Sequence, residues 1–121
     1  MQINQITYHF GSRVYSEFRK NLLLHQLKLI NSDIKDIHTV FLHVIESKKI
    51  IESNERGRLL KILKYGTSNS NKLNHDNLVF IGPRVGTISP WSSRATDICH
   101  HCDVDILRIE RCNAIEFESL S

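Results

Sequence analysis

The sequence has little proline, glycine or cysteine, and it lacks a long hydrophobic run. Its 121 residues include two prolines, five glycines and three cysteines. The longest apolar stretches, such as 22–24, are far too short to cross a bilayer, and the N-terminus lacks the segments of a signal peptide. The clustered Cys99, Cys102 and Cys112 do not form a disulfide framework. We therefore expect a cytoplasmic chain with no membrane partner.

The chain also lacks a strong excess of one charge. Its formal net charge is +3, and 24% of its residues are charged while 40% are hydrophobic. The Lys and Arg residues are spread along the chain, which favours solvated helix faces over a nucleic-acid surface. The length fits one small domain, residues 1–121. Docking onto a larger partner would help to stabilise its modest core.

Hydrophobic spacing predicts strands that alternate with helices. Apolar residues at two-residue steps indicate strands, and three- and four-residue steps indicate helices. The predicted strands are 2–9, 36–46, 77–82 and 104–117, and the predicted helices are 13–30, 54–65 and 90–102.

The resulting order, β-α-β-α-β-α-β, predicts an α+β fold. A strand–helix–strand unit occurs twice, and the helix at 54–65 joins the two units. Two such units on one sheet, with helices mainly on one face, predict a ferredoxin-like two-layer sandwich.

Serines mark the predicted helix starts. Ser12, Ser53 and Ser89 each precede a helix and can cap it, and Pro90 suits the first helical position. Gly66 suits the left-handed turn that ends the second helix.

Two segments are predicted to carry most of the core. The strand at 36–46 is rich in Ile, Val, Thr and Phe and is expected to be buried on parts of both faces. The helices are expected to bury one stripe each. These stripes comprise Tyr15, Phe18, Leu22, Leu23, Leu27 and Ile30 in the first helix and Leu59, Leu60, Ile62 and Leu63 in the second.

The candidate site lies within residues 80–111, where a strand leads through a glycine-containing loop into a helix N-terminus. The free N–H groups and partial positive charge of such a terminus suit an anion. An equally weighted alternative is a well-capped helix with Trp91 packed at an interface. The predicted substrate or domain-interface site comprises Arg84, Gly86, Thr87, Ser89, Trp91, Ser92, Ser93 and Arg94.

Residues 99–102 have the composition of a metal or redox cluster, Cys-His-His-Cys. A structural zinc site needs four ligands, usually in two separated pairs, and the sequence shows no second pair. On a helix, Cys99 and Cys102 share a face while His100 and His101 point elsewhere. We expect no metal site and no catalytic residue in this chain.

The same region resembles a known enzyme family. The run Gly86 to Ser93, followed by Ala95 to Ile98 and Ile109 to Arg111, is similar to a signature near the N-terminus of the large single-chain phosphoribosylformylglycinamidine synthase. Pro83, Arg84, His100 and Cys102 also match, as does the segment 62–66, and the resemblance covers most of residues 10–117.

Several positions depart from the family pattern. Val85 replaces Pro, Arg94 replaces Lys, and Cys99 and His101 replace a small residue and Asn. Asp103 and Cys112 stand where the pattern has Gly, and a positive φ at either position would strain the turn.

The resemblance implies a fold like a fused dimer of the small subunit of the split synthase. It also implies an enzyme that converts formylglycinamide ribonucleotide to its amidine with ATP, Mg²⁺ and ammonia from glutamine. Its N-terminal domain would bridge the synthetase and glutaminase domains. This chain shows no phosphate loop and no Cys followed by a His-x-Glu pair. We therefore expect the chain, truncated before the synthetase domain, to bind no cofactor and to be inactive alone.

Two alternatives stay open from the sequence. A stand-alone anion- or RNA-binding ferredoxin-like module would use strand aromatics, and Phe41 and Phe80 lie on predicted strands. They lack the flanking glycines and basic residues of such a site. The other alternative is a non-functional gene fragment.

Overall fold

The structure, a computed structural model, describes residues 4–65, 78–84 and 86–119. Strands and helices alternate as the sequence predicts. The elements in chain order are β1 (Gln5–Arg13), α1 (Glu17–Ile30), β2 (Ile34–Ser47), α2 (Ser53–Ile62), β3 (Leu78–Ile81), α3 (Pro90–His101) and β4 (Arg108–Ser119).

The strands form one antiparallel sheet with the order β1-β2-β4-β3. The long central strands β2 and β4 pair along most of their length, with Val40 opposite Ala114 and Ile45 opposite Ile109. With three helices, this sheet gives the predicted α+β fold, consistent with a ferredoxin-like two-layer sandwich. Within the described residues, no helix is long and apolar enough to span a membrane.

The core has two parts, because β2 buries residues on both of its faces. One face carries Ile45 and Ile109, which pack with α2, α3 and the segment that follows α3. The opposite face holds a smaller cluster of Val40, Leu42 and Ala114. The prediction that strand 36–46 is buried on both faces is confirmed. The larger cluster comprises Ile45, Ile51, Leu59, Leu63, Ala95, Cys99, Val104, Ile106 and Ile109.

The prediction that β1 ends before Ser12 is wrong. Gly11 and Ser12 stay within β1, and pairing with β2 continues past an irregularity until Arg13 lies opposite Val40. The ladder with β2 therefore overrides the local turn signal of Gly-Ser. The N-cap of α1 is Ser16, whose Oγ accepts a hydrogen bond from the Arg19 backbone N–H at 3.3 Å.

The predicted buried stripe of α1 is also wrong, because no α1 residue is fully buried. Phe18 is 72% exposed and Ile30 is 83% exposed. The helix contacts β2, and Leu23 and Leu27 are half-buried there. One-sided contact with a single strand explains why the stripe is only partly covered.

Two further boundaries differ from the prediction. Glu52, not Ser53, is the N-cap of α2, and it makes no side-chain capping hydrogen bond. Strand β4 begins at Arg108 rather than at 104, because Val104 and Ile106 pack into the larger cluster before the chain joins the ladder.

The second helix buries only part of its predicted side. Leu59 and Leu63 are buried, Ile62 is half-buried and Leu60 is exposed. The prediction that this helix continues to residue 65 is wrong, because α2 ends at Ile62 with Leu63 as its C-cap. Gly66, which was predicted to end it, lies outside the described residues.

The two positions that replace family glycines behave differently. Asp103 has a φ of 59° and is the one non-glycine residue with positive φ in the described part of the chain. Cys112 lies in β4 opposite Leu42, so its position needs no glycine-like backbone. The anticipated strain therefore applies at Asp103 alone.

We expect Asp103→Gly to stabilise the fold by up to about 1 kcal/mol, because glycine removes the left-handed strain. The backbone contacts at this position, from Arg58 Nη2 to the Asp103 carbonyl at 2.7 Å and from the Asp103 N–H to His100 O, do not need the side chain. Urea denaturation measures the change. Asp105→Gly, at an exposed position without positive φ, should be neutral or destabilising, and equal gains from both variants would contradict the explanation.

Candidate functional site

Helix α3 is fastened to the edge of β4 by side chains of its first two turns. Strand β3 pairs only with positions 113–116 of β4, so the edge at Ile109 is open to other partners. Ser92 Oγ donates to the Ile109 carbonyl at 2.5 Å, and the Ile109 N–H donates to Thr96 Oγ1 at 3.2 Å. Both backbone groups of Ile109 are thus satisfied by α3.

Ser89 is the N-cap of α3 and Pro90 is its first residue, as predicted. The Ser89 Oγ accepts a hydrogen bond from the Ser92 N–H at 3.1 Å. The same hydroxyl donates to the Glu110 carboxylate at 2.8 Å. The start of the helix is therefore bound to β4 through a carboxylate of the chain itself.

Glu110 is held ionised at this position. Burial alone would raise its pKa, but hydrogen bonds from the Arg111 N–H, Ser89 and Arg108 outweigh burial and lower the pKa below its ordinary value. The Arg108 guanidinium lies 3.0 Å from the carboxylate. A carboxylate of the chain itself thus lies at the helix terminus for which the sequence left open an external anion or a well-capped helix.

The remaining predicted site residues lie around this terminus. Gly86 has a φ of 86°, and the Thr87 N–H and Oγ1 both donate to the Arg84 carbonyl, which closes a turn. Arg84, Thr87, Ser93 and Arg94 have exposed side chains. The structure therefore brings together Ser89, Trp91 and Ser92, and anion binding by the full set stays a prediction.

Beside α3 lies a cleft of about 420 Å³ that contains Arg111. The Arg111 guanidinium carbon is 4.3 Å from the centre of the Phe41 ring and 4.6 Å from that of Trp91. Its Nη1 donates to the Tyr65 hydroxyl at 3.4 Å. Sequence reasoning did not select Arg111, although the matched run Ile109 to Arg111 contains it, because the aromatic residues around it come from three separate segments.

A buried histidine binds the same tyrosine hydroxyl as Arg111. His43 is fully buried, its Nδ1–H donates to the His9 carbonyl at 3.1 Å, and the Tyr65 hydroxyl donates to its Nε2 at 2.6 Å. Burial is the main reason that its pKa is lowered from 6.5 to about 4, with the Arg111 charge acting in the same direction. His43 is therefore neutral at pH 7 and positions Tyr65.

The four residues Cys99 to Cys102 do not converge on one point. Cys99 is buried, and burial raises the pKa of its thiol to about 11, whereas Cys102 is exposed. His100 Nε2 contacts the Ile106 carbonyl, and His101 Nδ1 contacts the Asp97 carbonyl. The two cysteines thus differ in burial, and each histidine contacts a different backbone carbonyl.

Another group of metal-ligand residue types lies at the far end of the sheet. One potential ligand atom from each of Asp36, His38 and Glu118 lies within 4.8 Å of the others. Lys20 is 3.3 Å from Asp36 and Lys35 is 3.6 Å from Glu118. These ion pairs balance the carboxylates and give the group a structural explanation without a metal.

The strand aromatics do not form a shared stacking platform. Phe41 lies on the face that carries Arg111, next to its guanidinium. Phe80 pairs with Ala114 and lies on the opposite face of the sheet. The arrangement of these two residues therefore does not favour the RNA-binding alternative.

The chain was compared with models of known protein families. Residues 40–121 match the family described as formylglycinamide ribonucleotide amidotransferase N-terminal. The matched range begins within β2 and includes α2, β3, α3 and β4. It also contains His43, Tyr65, Trp91 and Arg111.

Proposed function

This chain belongs to the formylglycinamide ribonucleotide amidotransferase N-terminal family, and we propose that it is a non-catalytic adaptor domain of that enzyme. The family is the N-terminal domain of a multidomain enzyme of purine biosynthesis. The proposed reaction of the complete enzyme is the ATP- and glutamine-dependent conversion of formylglycinamide ribonucleotide to its amidine. ATP and Mg²⁺ would bind to its other domains, in the cytoplasm.

The observation that supports an adaptor role is that the polar residues of the matched motif bind other groups of the same chain. Ser89, Ser92 and Thr96 bind groups of β4, and Glu110 is bound by Ser89 and Arg108. A nucleophile or general base needs a free, accessible group within reach of a substrate. In this motif the polar groups instead build a rigid connection between a helix and a sheet edge.

The side chains that this connection leaves exposed suit docking. Ile88, two residues before α3 begins, is 63% exposed, and Ile98 within α3 is 50% exposed. Arg94 lies one turn before Ile98 on the helix and is also exposed. Exposed apolar residues beside an arginine are typical of protein interfaces. We use the name outer face of α3 for three residues, Arg94 and Ile98 on its exposed side and Ile88 just before the helix. We propose that this outer face contacts the synthetase and glutaminase domains.

An assay separates the adaptor role from catalysis. The purified chain, supplied with formylglycinamide ribonucleotide, ATP, Mg²⁺ and glutamine, should give no turnover. Added to a family enzyme that lacks its N-terminal domain, it should bind and raise turnover. Ile98→Asp and Arg94→Glu should each weaken that binding at least about tenfold, because each places an unfavourable charge in the interface.

The matched control is Lys28→Glu, an equal charge reversal on the exposed side of α1. It should bind as the unmodified chain does. Turnover by the chain alone would contradict the non-catalytic role. Tight binding to single-stranded RNA with a steep dependence on salt would instead support the stand-alone module.

A further inference from the structure

We infer that the cleft beside α3 binds a small phosphate monoester, with the Arg111 guanidinium as its anchor. This site lies on the sheet side of α3 and uses other residues than the outer face proposed for docking. The inference goes beyond the adaptor role and does not depend on it.

The charges around the cleft favour an anion. No described carboxylate forms an ion pair with Arg111. Glu110 also lines the cleft, but its carboxylate is bound to Arg108 and accepts a hydrogen bond from Ser89. His43 is neutral at pH 7 because its pKa is about 4, and burial, the largest influence, raises the pKa of Tyr65. Arg111 is half-buried. A half-buried positive charge without a counter-ion is unfavourable, and a bound anion would supply that counter-ion.

The surroundings of the guanidinium favour binding in its plane. The central carbon of the Arg111 guanidinium lies over the Phe41 and Trp91 rings, 4.3 Å and 4.6 Å from their centres. A guanidinium donates its hydrogen bonds in its own plane, so a ligand must approach the in-plane N–H donors, of which Tyr65 uses one. Two adjacent N–H groups of arginine match two oxygens of a phosphate. The aromatic partners also hold this pair of N–H groups in one orientation, which lowers the entropy cost of binding.

The size and the lining of the cleft indicate to what kind of molecule the phosphate is attached. A volume of about 420 Å³ lies at the lower end of the range typical of small-molecule sites, so it exceeds what an isolated phosphate needs. The wall includes apolar side chains together with the Asn113 amide, which can donate a further hydrogen bond. We therefore assign a phosphate on a sugar-sized body. The apolar wall is formed by Val14, Tyr15, Ile81, Pro83 and Pro90.

The chain contains its own reporter of binding. Trp91 is the only tryptophan of the sequence and lies on Arg111, so a ligand in the cleft should change its fluorescence. The full 121-residue chain is titrated with ribose 5-phosphate, AMP and inorganic phosphate, and in parallel with ribose, adenosine and succinate. We expect saturable changes with ribose 5-phosphate and AMP, a weaker one with inorganic phosphate, and none with ribose or adenosine.

Variants assign the binding to Arg111. Arg111→Met should weaken ribose 5-phosphate binding at least about tenfold. Arg111→Lys should weaken it less, because lysine keeps the charge but lacks the two adjacent in-plane N–H donors. Arg56→Met removes an equal charge from the exposed side of α2 and should leave binding unchanged. A thermal melt accompanies each variant, and Arg111→Lys with Asn113→Ala carries the test if Arg111→Met does not fold.

Three results would overturn the inference. The first is no saturable change with any phosphate compound at millimolar concentration. The second is equal binding of succinate and ribose 5-phosphate, which would assign a general carboxylate site. The third is unchanged affinity in folded Arg111 variants, which would place the phosphate elsewhere on the chain.

Discussion

Acidification from pH 7 to pH 5 should remove about 2 kcal/mol from the free energy of unfolding through His43 alone. The folded-state pKa of His43 is about 4, compared with 6.5 for an unperturbed histidine. Between these values the unfolded chain binds a proton that the folded chain excludes. Stability is therefore fully present above pH 6.5, falls as the pH drops, and levels off below pH 4.

The local contacts explain why His43 resists protonation. Burial is the largest cause, and the Arg111 charge adds to it. A protonated Nε2 would have to donate to the Tyr65 oxygen, which already accepts a hydrogen bond from Arg111. Two cations would then share one hydroxyl oxygen. Burial also lowers the pKa of the neighbouring His9, which acts in the same direction.

Urea denaturation at several pH values between 7 and 5 measures this effect. His43→Gln keeps a polar side chain without a titratable group, so its stability should depend less on pH over that interval. His25→Gln removes an exposed histidine from α1 and should keep the full slope. The depressed pKa values of Glu110 and Asp36 act at lower pH, since their ordinary values are 4.5 and 3.8. A flat profile in the unmodified chain would contradict the assignment.

Gly11→Ala should destabilise the fold by about 1–3 kcal/mol, the usual cost of overpacking a core. A Cβ at Gly11 would lie 2.6 Å from Cε1 and 3.2 Å from Nδ1 of His43. The ring has no room to retreat, because it is fully buried and is held at both nitrogens by His9 and Tyr65. Relief of the clash would require breaking one of these hydrogen bonds or displacing β1 from β2.

Gly57→Ala is the matched control, because a Cβ there meets nothing within 4 Å and the position lies inside α2. It should stabilise the fold by about 0.5–1 kcal/mol, since alanine favours a helix over glycine. In a His43→Ala background, Gly11→Ala should cost much less, which a double-mutant cycle would detect. An equal cost in both backgrounds would show that the His43 ring is not the cause.

The fold class was predictable because hydrophobic spacing reports which side of an element faces the core. The period-two pattern of β2 and the Ser89-Pro90 start of α3 both define local structure through nearby residues, and both predictions are confirmed. The prediction of Ser12 as a cap was wrong because a ladder with residues about 30 positions away holds that segment extended. The prediction of a buried stripe on α1 was wrong because periodicity does not reveal how much surface of other elements is available to cover it.

The candidate site was only partly predictable for the same reason. The motif at Ser89 and Trp91 was visible as a contiguous run, whereas the carboxylate bound to it comes from Glu110 on another strand. Likewise, the surroundings of Arg111 combine Phe41 of β2, Tyr65 after α2 and Trp91 of α3. Contacts between residues that are so far apart along the chain produce no recognisable spacing pattern in a single sequence.

By itself, the sequence determined the order of the elements, the two-layer fold class and the family, because each depends on local patterns or on a contiguous motif. Only the tertiary structure decided that Glu110 lies at the start of α3 and that the neutral His43 is opposite Arg111 in the ladder. Charge, burial and hydrogen bonding at these residues are properties of their neighbours in space. Those neighbours are brought together only when β4 pairs with β2 and α3 closes its open edge.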